Sequence, residues 1–263
     1  METTPIKILL PAYEDSSKPD AFDRIYKEIR KAGVPYSLLV LVDRDNSRGE
    51  LPARNDLFRC ALQDPDWQYC ITLSNDIFEL PQNWARELEL GMDYLKYLGS
   101  HNVGALNAYG FVNTFEGHEW AQRLIDPYGN NHNIVEPTDD CFNWPGVTES
   151  APPNPELSTA CCIIRREVLE EVGLFDPGFG RGGGMEHWDY VIRMYRAGYE
   201  NWLTYKVRFK ADIKQGNNFK PNDTYTYYHE KWGTGLDGLS TKLFLEKAKH
   251  TSPSAGFTDF GRA

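Results

Sequence analysis

Short apolar runs alternate along this chain with longer segments in which apolar residues recur every three or four positions. The runs have the length of buried strands, and the longer segments have the period of amphipathic helices. The runs cover residues 6–10, 36–42, 69–73, 103–106, 160–164 and 202–209, and the helical segments include 20–33, 51–62, 84–99 and 186–198. This alternation predicts βαβ units and an α/β fold with a mostly parallel central sheet flanked by helices.

The composition is that of an ordinary globular protein, with 41% hydrophobic and 25% charged residues. A chain of 263 residues can bury one substantial core, with or without a small appendage. The net charge of −10 argues against a broad nucleic-acid-binding surface, which needs clustered basic residues.

Five cysteines without framework spacing favour reduced thiols. Cys161 and Cys162 lie inside an apolar run, so we expect them to be buried and reduced, as in a cytoplasmic protein. No apolar run approaches the length of a membrane span, and we therefore expect no transmembrane segment.

Polar residues follow the first and third predicted strands. Residues 11–15 (PAYED) form the predicted loop after the first strand, at the edge where open α/β sheets bind ligands. Asp76 follows the third strand, and its carboxylate suits Mg²⁺ or Mn²⁺. The alternative role for Asp76 is that of an ordinary turn former.

A glycine-rich stretch, 178–184, precedes a helix that opens with Glu186, His187 and Asp189. The pattern places two carboxylates and an imidazole at the mouth of a loop, with Trp188, Ile192 and Tyr195 as the buried stripe of the helix. The alternative is structural, because Asp189 and Arg193 have the spacing of a surface ion pair.

Five blocks in order resemble the GT-A fold glycosyltransferases, especially those of family 2. The early blocks are ILLPAYED (8–15), LVDRDNS (41–47), ARN (53–55) and LSNDIFELPQNW (73–84). The late block matches at Arg165, Arg166, Val172, Gly173, Phe175, Asp176, Glu186, Asp189, Arg196, Ala197, Gly198 and Tyr199. The resemblance runs from about residue 6 to residue 199.

The resemblance implies a hexosyltransferase-type enzyme that moves a sugar from a nucleoside diphosphate sugar, with UDP as the expected nucleotide, to an acceptor hydroxyl. It implies a GT-A domain over 1–210 and a C-terminal extension over 211–263 that completes the site. By position, the nucleotide would contact Pro11, Ala12, Tyr13, Glu14, Asp43, Arg54, Asn75 and Lys214. A Mn²⁺ or Mg²⁺ ion would be held by Asp76, with His229 as a late metal or phosphate ligand.

The family usually has an aspartate, commonly the catalytic base, where this chain has His187. We therefore rank His187 and Asp189 equally as base, and expect Glu186 to bind sugar or acceptor hydroxyls. A base implies an inverting reaction, whereas a retaining mechanism fits if none of the three acts as base.

Two other functions remain open at this stage. A sugar-nucleotide pyrophosphorylase would be expected to carry a glycine-rich loop after the first strand, where this chain has 11–13 (PAY). A non-catalytic nucleotide-sugar or glycan-binding module is compatible with the departure at His187. The acceptor would be a glycan, a lipid-linked glycan or a protein, and the acidic balance argues against nucleic acid. We expect residues 128–157 to form an acceptor-side loop, a lid or a surface insertion, and 239–249 to form a final helix.

Overall fold

A computed structural model describes residues 6–13, 20–43, 48–97, 102–112, 157, 159–181, 185–211 and 221–233, with the single positions 247, 250 and 254. Within these residues the chain forms seven strands and six α-helices. The strands are β1 (Ile6–Tyr13), β2 (Tyr36–Asp43), β3 (Tyr69–Leu73), β4 (Ile77–Glu79), β5 (Val103–Val112), β6 (Cys161–Arg165) and β7 (Glu200–Ala211). The helices are α1 (Ala21–Ile29), α2 (Glu50–Leu62), α3 (Trp84–Tyr97), α4 (Arg166–Glu171), α5 (Glu186–Arg196) and α6 (Pro221–Trp232).

The described strands form one sheet in the order β2-β1-β3-β6-β5-β7-β4. Strand β1 pairs in parallel with β2 and β3, and β5 pairs in parallel with β7. Strand β6 is antiparallel to both β3 and β5, and β4 is antiparallel to β7. Five strands therefore run in one direction, and the predicted mostly parallel α/β sheet is confirmed.

Two hydrophobic cores cover the two faces of the sheet. Successive residues of a strand point to opposite faces, and Cys161 and Ile163 of β6 face one core while Cys162 and Ile164 face the other. Helices α2, α4, α5 and α6 contribute to the core that contains Cys162. Helices α1 and α3 contribute to the opposite core. The result is a three-layer arrangement of helices, sheet and helices.

The strands and helices predicted within the described residues are present, but some boundaries differ. Strand β1 continues to Tyr13, so Pro11 and Ala12 are buried strand residues that pair with Leu41 and Val42 rather than loop residues. A proline can take a strand position where its missing N–H is not needed by the sheet. The short strand β4 lacks an apolar run of its own and was not predicted.

Several predictions fall on residues outside the described part of the chain. They concern Glu14, Lys214, the loop 128–156, the last three glycines at 182–184 and nearly all of the helix at 239–249. In the described part, Cys161 and Cys162 are buried free thiols, as predicted. No helix there is both long enough and apolar enough to cross a membrane.

Candidate functional site

The ends of three neighbouring strands form one side of the site. Tyr13 and Asp43 are paired last residues of β1 and β2. The side-chain amide of Asn75, just after β3, donates a hydrogen bond of 3.1 Å to the backbone oxygen of Tyr13. Asp76 follows, and its Oδ2 atom accepts a 3.3 Å hydrogen bond from the Ser74 hydroxyl. Four predicted site residues therefore lie at one edge of the sheet because the parallel strands end there.

Asp43 holds the backbone that leads into helix α2. Its Oδ2 atom accepts backbone hydrogen bonds from Arg48 at 2.9 Å and from Gly49 at 3.4 Å. Gly49 has φ +90°, and a Cβ atom there would lie 2.6 Å from the Cβ atom of Arg181. The backbone N–H of Leu51 donates to the Arg181 oxygen at 3.1 Å. The start of α2 thus packs directly against the described end of the glycine-rich segment.

Arg54 and Tyr13 carry polar atoms that the described part of the protein leaves without a hydrogen-bond partner. Arg54 is 3% exposed, and its Nε and Nη2 atoms bind Oε1 of Glu50 at 2.9 and 2.7 Å. Its Nη1 atom and the Tyr13 hydroxyl are buried and make no hydrogen bond within the described residues. Since buried polar groups are nearly always paired in native proteins, these two atoms indicate a missing polar partner.

Charged groups from the strand ends and from helix α2 surround Tyr13 and affect its pKa. Burial raises the pKa of Tyr13 above its ordinary value, and the negative charges of Glu50, Asp43 and Asp76 raise it further, while Arg54 opposes them. Tyr13 therefore keeps its proton and can act as a hydrogen-bond donor at the point where these groups converge.

His187 lies on the other side of the site. Its Nε2 atom is 3.2 Å from the Thr159 hydroxyl and 3.3 Å from Oε1 of Glu186. The Thr159 hydroxyl also donates to Oε1 of Glu50 at 3.2 Å. Burial alone would raise the pKa of Glu50, but Arg54, His187 and the hydrogen bonds from Arg54 and Thr159 lower it below its ordinary value. Glu50 is therefore an ionised carboxylate that links the two sides of the site, through Arg54 on one side and Thr159 on the other.

A backbone hydrogen bond fixes the two loops relative to each other. The N–H of Ser74 donates to the Ala160 oxygen at 2.9 Å. Ser74 begins the turn that carries Asp76, and Ala160 is next to Thr159, which contacts His187. The structure thus places the metal-ligand candidate and the base candidate at the same edge of the sheet.

Asp189 belongs to a buried network of charges. Its side chain is fully buried, and Oδ2 accepts from Nε of Arg193 at 2.9 Å. Its Oδ1 atom is 2.6 Å from Nζ of Lys231 and 2.9 Å from the indole nitrogen of Trp232. Asp189 and Arg193 do form the ion pair that their spacing predicts. The pair is buried, however, so the alternative of a surface pair is wrong.

Lys231 joins this network to the turn before α5. Its Nζ atom is also 2.8 Å from Oδ2 of Asp176, and both side chains have zero exposure. Arg193 extends the network by donating to the backbone oxygens of Val172 and Leu174, each at 2.9 Å. Two carboxylates and two cations therefore compensate each other and clamp α6 and α5 onto the segment before the glycine-rich loop.

Gly178 leaves room for Tyr227 of α6. A Cβ atom at Gly178 would lie 1.9 Å from the Tyr227 hydroxyl oxygen, which donates to Oδ2 of Asp176 at 3.0 Å. We expect Gly178→Ala to displace this ring and lower the free energy of unfolding by about 1–3 kcal/mol, measured by urea denaturation. In a Tyr227→Ala background the same change meets no ring, so there it should have little effect. Equal losses in both backgrounds would contradict the steric explanation.

The candidate metal ligands do not form a complete protein cage. In the part of the chain that the structure describes, no group of three or more His, Cys, Asp and Glu side chains could hold a metal ion. The His229 ring packs edge-on against Tyr225 and Tyr228 of its own helix, with centroid separations of 4.1 and 5.7 Å. The role of His229 as a ligand stays a prediction.

The sequence reading missed Glu50 and Thr159. The spacing of Glu50 and Arg54, four positions apart on a helix, was the available signal for their pairing. Thr159 had no local signal, because its contacts with Glu50 and His187 span 109 and 28 positions.

Comparison with known proteins gives structural similarity alone. No family profile matches the sequence, and no curated protein sequence matches it. The structure of GalNAc-T7 with UDP, GalNAc and Mn²⁺ matches with a TM-score of 0.54 and 13% identity, over 95% of this chain. This chain spans about half (55%) of that protein. A mycobacterial protein of known structure matches with a TM-score of 0.43 and 12% identity, over 96% of this chain and 77% of its own.

GalNAc-T7 is a glycosyltransferase of the GT-A fold. The similarity in overall structure agrees with the mostly parallel sheet flanked by helices that the described residues form. This chain therefore has a GT-A-like fold.

Proposed function

We propose that the protein is a hexosyltransferase-type glycosyltransferase, which moves a sugar from a nucleoside diphosphate sugar to an acceptor hydroxyl with the help of a divalent cation. The observation that carries this proposal is the pair of buried donors on Tyr13 and Arg54 that have no hydrogen-bond partner among the described residues, beside two strand-end carboxylates. Donors and acceptors that converge at the carboxyl ends of parallel strands are what a nucleotide site requires.

The donor nucleotide would occupy the edge formed by Tyr13, Asp43, Arg54 and Asn75. The Nη1–H group of Arg54, which has no partner among the described residues, would donate to a phosphate or ribose oxygen. Asp43 is an acceptor-only carboxylate and suits a base N–H group. Pro11 and Ala12 would act through the backbone shape of β1, because both are buried in the strand. The UDP in the GalNAc-T7 structure supports uridine as the first nucleotide to test.

A divalent cation fits this edge through Asp76. Mg²⁺ and Mn²⁺ commonly take one or two protein carboxylates and complete their shell with phosphate oxygens and water. Asp76 is only partly exposed and lies close enough to Tyr13 for its charge to affect the Tyr13 pKa. When bound, the cation would neutralise charge on the leaving diphosphate. The Mn²⁺ in the GalNAc-T7 structure supports Mn²⁺ as the first cation to test.

His187 is the base that the contacts favour. Both oxygens of Asp189 are held by Arg193, Lys231 and Trp232, whereas the His187 side chain is 17% exposed. In the proposed step, the acceptor oxygen bonds to the anomeric carbon while its proton passes to His187. The bond from that carbon to the diphosphate oxygen breaks, and its electron pair leaves with the diphosphate. Direct attack of this kind inverts the anomeric centre.

Glu186 would bind a sugar or acceptor hydroxyl next to His187. It is 2% exposed, and its Oε1 atom lies 3.3 Å from Nε2 of His187. The acceptor would be a glycan, a lipid-linked glycan or a protein. The net charge of −10 argues against a nucleic-acid acceptor.

Calorimetric titration of UDP and UDP-sugars, with and without Mn²⁺, tests the donor site. We expect Mn²⁺-dependent binding in the native protein and a loss of at least about 100-fold in affinity with Asp76→Ala, since one charge pair near 4 Å is worth about 4 kcal/mol at an effective dielectric constant of 20. Asp20→Asn is the control, because its 66%-exposed carboxylate pairs only with Arg24 among the ion pairs described. Absence of binding by any nucleotide sugar would overturn the proposal. Binding without donor hydrolysis or transfer would instead support a non-catalytic nucleotide-sugar-binding module.

A further inference from the structure

Three side chains form a continuous hydrogen-bonded path behind the imidazole of His187. Arg54 holds Oε1 of Glu50, the Thr159 hydroxyl reaches the same oxygen at 3.2 Å, and Nε2 of His187 lies 3.2 Å from that hydroxyl. Thr159 is 4% exposed, so bulk water has little access to the middle of the path.

The number of protons along the path determines the direction of each hydrogen bond. An ionised carboxylate only accepts, so the single hydroxyl proton of Thr159 must point to Glu50. The Thr159 oxygen can then only accept from the imidazole. Glu186 acts on Nε2 in the same way, because its Oε1 atom lies 3.3 Å away and also accepts a hydrogen bond. Both neighbours therefore require a proton on Nε2.

We propose that Thr159 and Glu50 are positioning residues that hold His187 in the tautomer with its proton on Nε2, which leaves the lone pair of Nδ1 to take the proton of the acceptor hydroxyl. This inference rests on the proposed function, in which His187 is the base. A fixed tautomer matters because a neutral imidazole can accept a proton only at the nitrogen that carries none.

The same path stabilises the product of proton transfer. Once Nδ1 is protonated, the imidazolium carries a positive charge whose Nε2–H group still points to Thr159 and Glu186. The carboxylates of Glu186 and Glu50 then compensate that charge, and Arg54 keeps Glu50 in place. Thr159 and Glu50 therefore act through His187 and need no contact with the sugar.

Long-range ¹H–¹⁵N correlation spectra of the full chain, labelled with ¹⁵N-histidine, report which ring nitrogen is protonated. His187 is one of six histidines, and its signals are identified by their loss in His187→Gln. At alkaline pH, where imidazole is neutral, we expect an excess of about tenfold or more of the Nε2–H tautomer in the native protein. A predominant Nδ1–H tautomer of His187 would overturn the inference.

Variants of Thr159 separate positioning from packing. Thr159→Val keeps the shape of the side chain but removes the hydroxyl, so we expect the tautomer excess to fall at least about threefold and turnover to fall about 10- to 100-fold. Thr159→Ser restores the hydroxyl and should restore both. An unchanged tautomer in Thr159→Val would overturn the role of Thr159. The Nε2–H tautomer in a protein that transfers no sugar would support the path and overturn the proposed function instead.

Discussion

Lys231→Met is expected to lower the free energy of unfolding by about 3–5 kcal/mol, the usual loss when one partner of a buried ion pair is removed. The Lys231 ammonium has zero exposure and lies between Asp176 and Asp189, at 2.8 and 2.6 Å. Methionine fits the space but leaves two buried carboxylates with Arg193 as their one remaining cation within the described network. Urea denaturation followed by tryptophan fluorescence measures the change.

Lys210→Met is the matched control. Lys210 pairs with Glu79 at the same 2.8 Å, but the two side chains are 41% and 53% exposed. Exposed pairs contribute about 0–1 kcal/mol, so this change should have little effect on unfolding. Equal losses for Lys231→Met and Lys210→Met would show that the buried network does not stabilise the fold.

A double substitution tests whether the network acts as a unit. Asp176→Asn removes one charge that Lys231 neutralises, so adding it to Lys231→Met should cost less than the sum of the two single changes. Coupling energies between contacting residues are typically 0.5–3 kcal/mol. Additive losses would mean that Lys231 is held mainly by Asp189.

Most elements of this fold could be predicted because a local sequence pattern encodes them. The apolar run at 69–73 matches β3 residue for residue, and the polar residues after it mark the edge of the sheet. Strand β4 was missed because only pairing with β7 makes three residues a strand. The end of β1 was placed too early, because Pro11 looks like a breaker unless its pairing with β2 is known.

The chemistry of the site was harder to predict because its partners are distant in sequence. The pattern of α5 placed Glu186, His187 and Asp189 together, but it could not show that Asp189 meets Lys231 and Trp232 on another helix. Asn55 illustrates the same limit. It belongs to the ARN block (53–55) of the family resemblance, and its amide exchanges two hydrogen bonds, of 2.9 and 3.0 Å, with the backbone of Phe175, 120 positions away. Those bonds give Asn55 a structural role beside the nucleotide-binding role that we propose for Arg54.

The contacts of α5 lead to different expectations for its two base candidates. His187→Gln should lower turnover about 10²- to 10⁴-fold, the usual contribution of a general base, with UDP affinity and the unfolding transition nearly unchanged. The reason is that Gln can still donate to Thr159 and Glu186 but cannot take a proton. Steady-state transfer with a UDP-sugar and Mn²⁺, compared with calorimetric UDP binding, separates the two effects.

Asp189→Asn should behave in the opposite way. It removes a charge that compensates Lys231 and Arg193 in a fully buried network. We therefore expect the free energy of unfolding to fall by about 3–5 kcal/mol and the unfolding midpoint to fall with it. Any loss of turnover should then follow the loss of folded protein and disappear under conditions where the variant is folded. If folded Asp189→Asn is inactive while His187→Gln turns over normally, Asp189 is the base, and one of its oxygens must leave the network during the reaction. If both variants turn over normally, neither His187 nor Asp189 takes the proton, and a retaining reaction becomes the better description once Glu186→Gln also turns over normally.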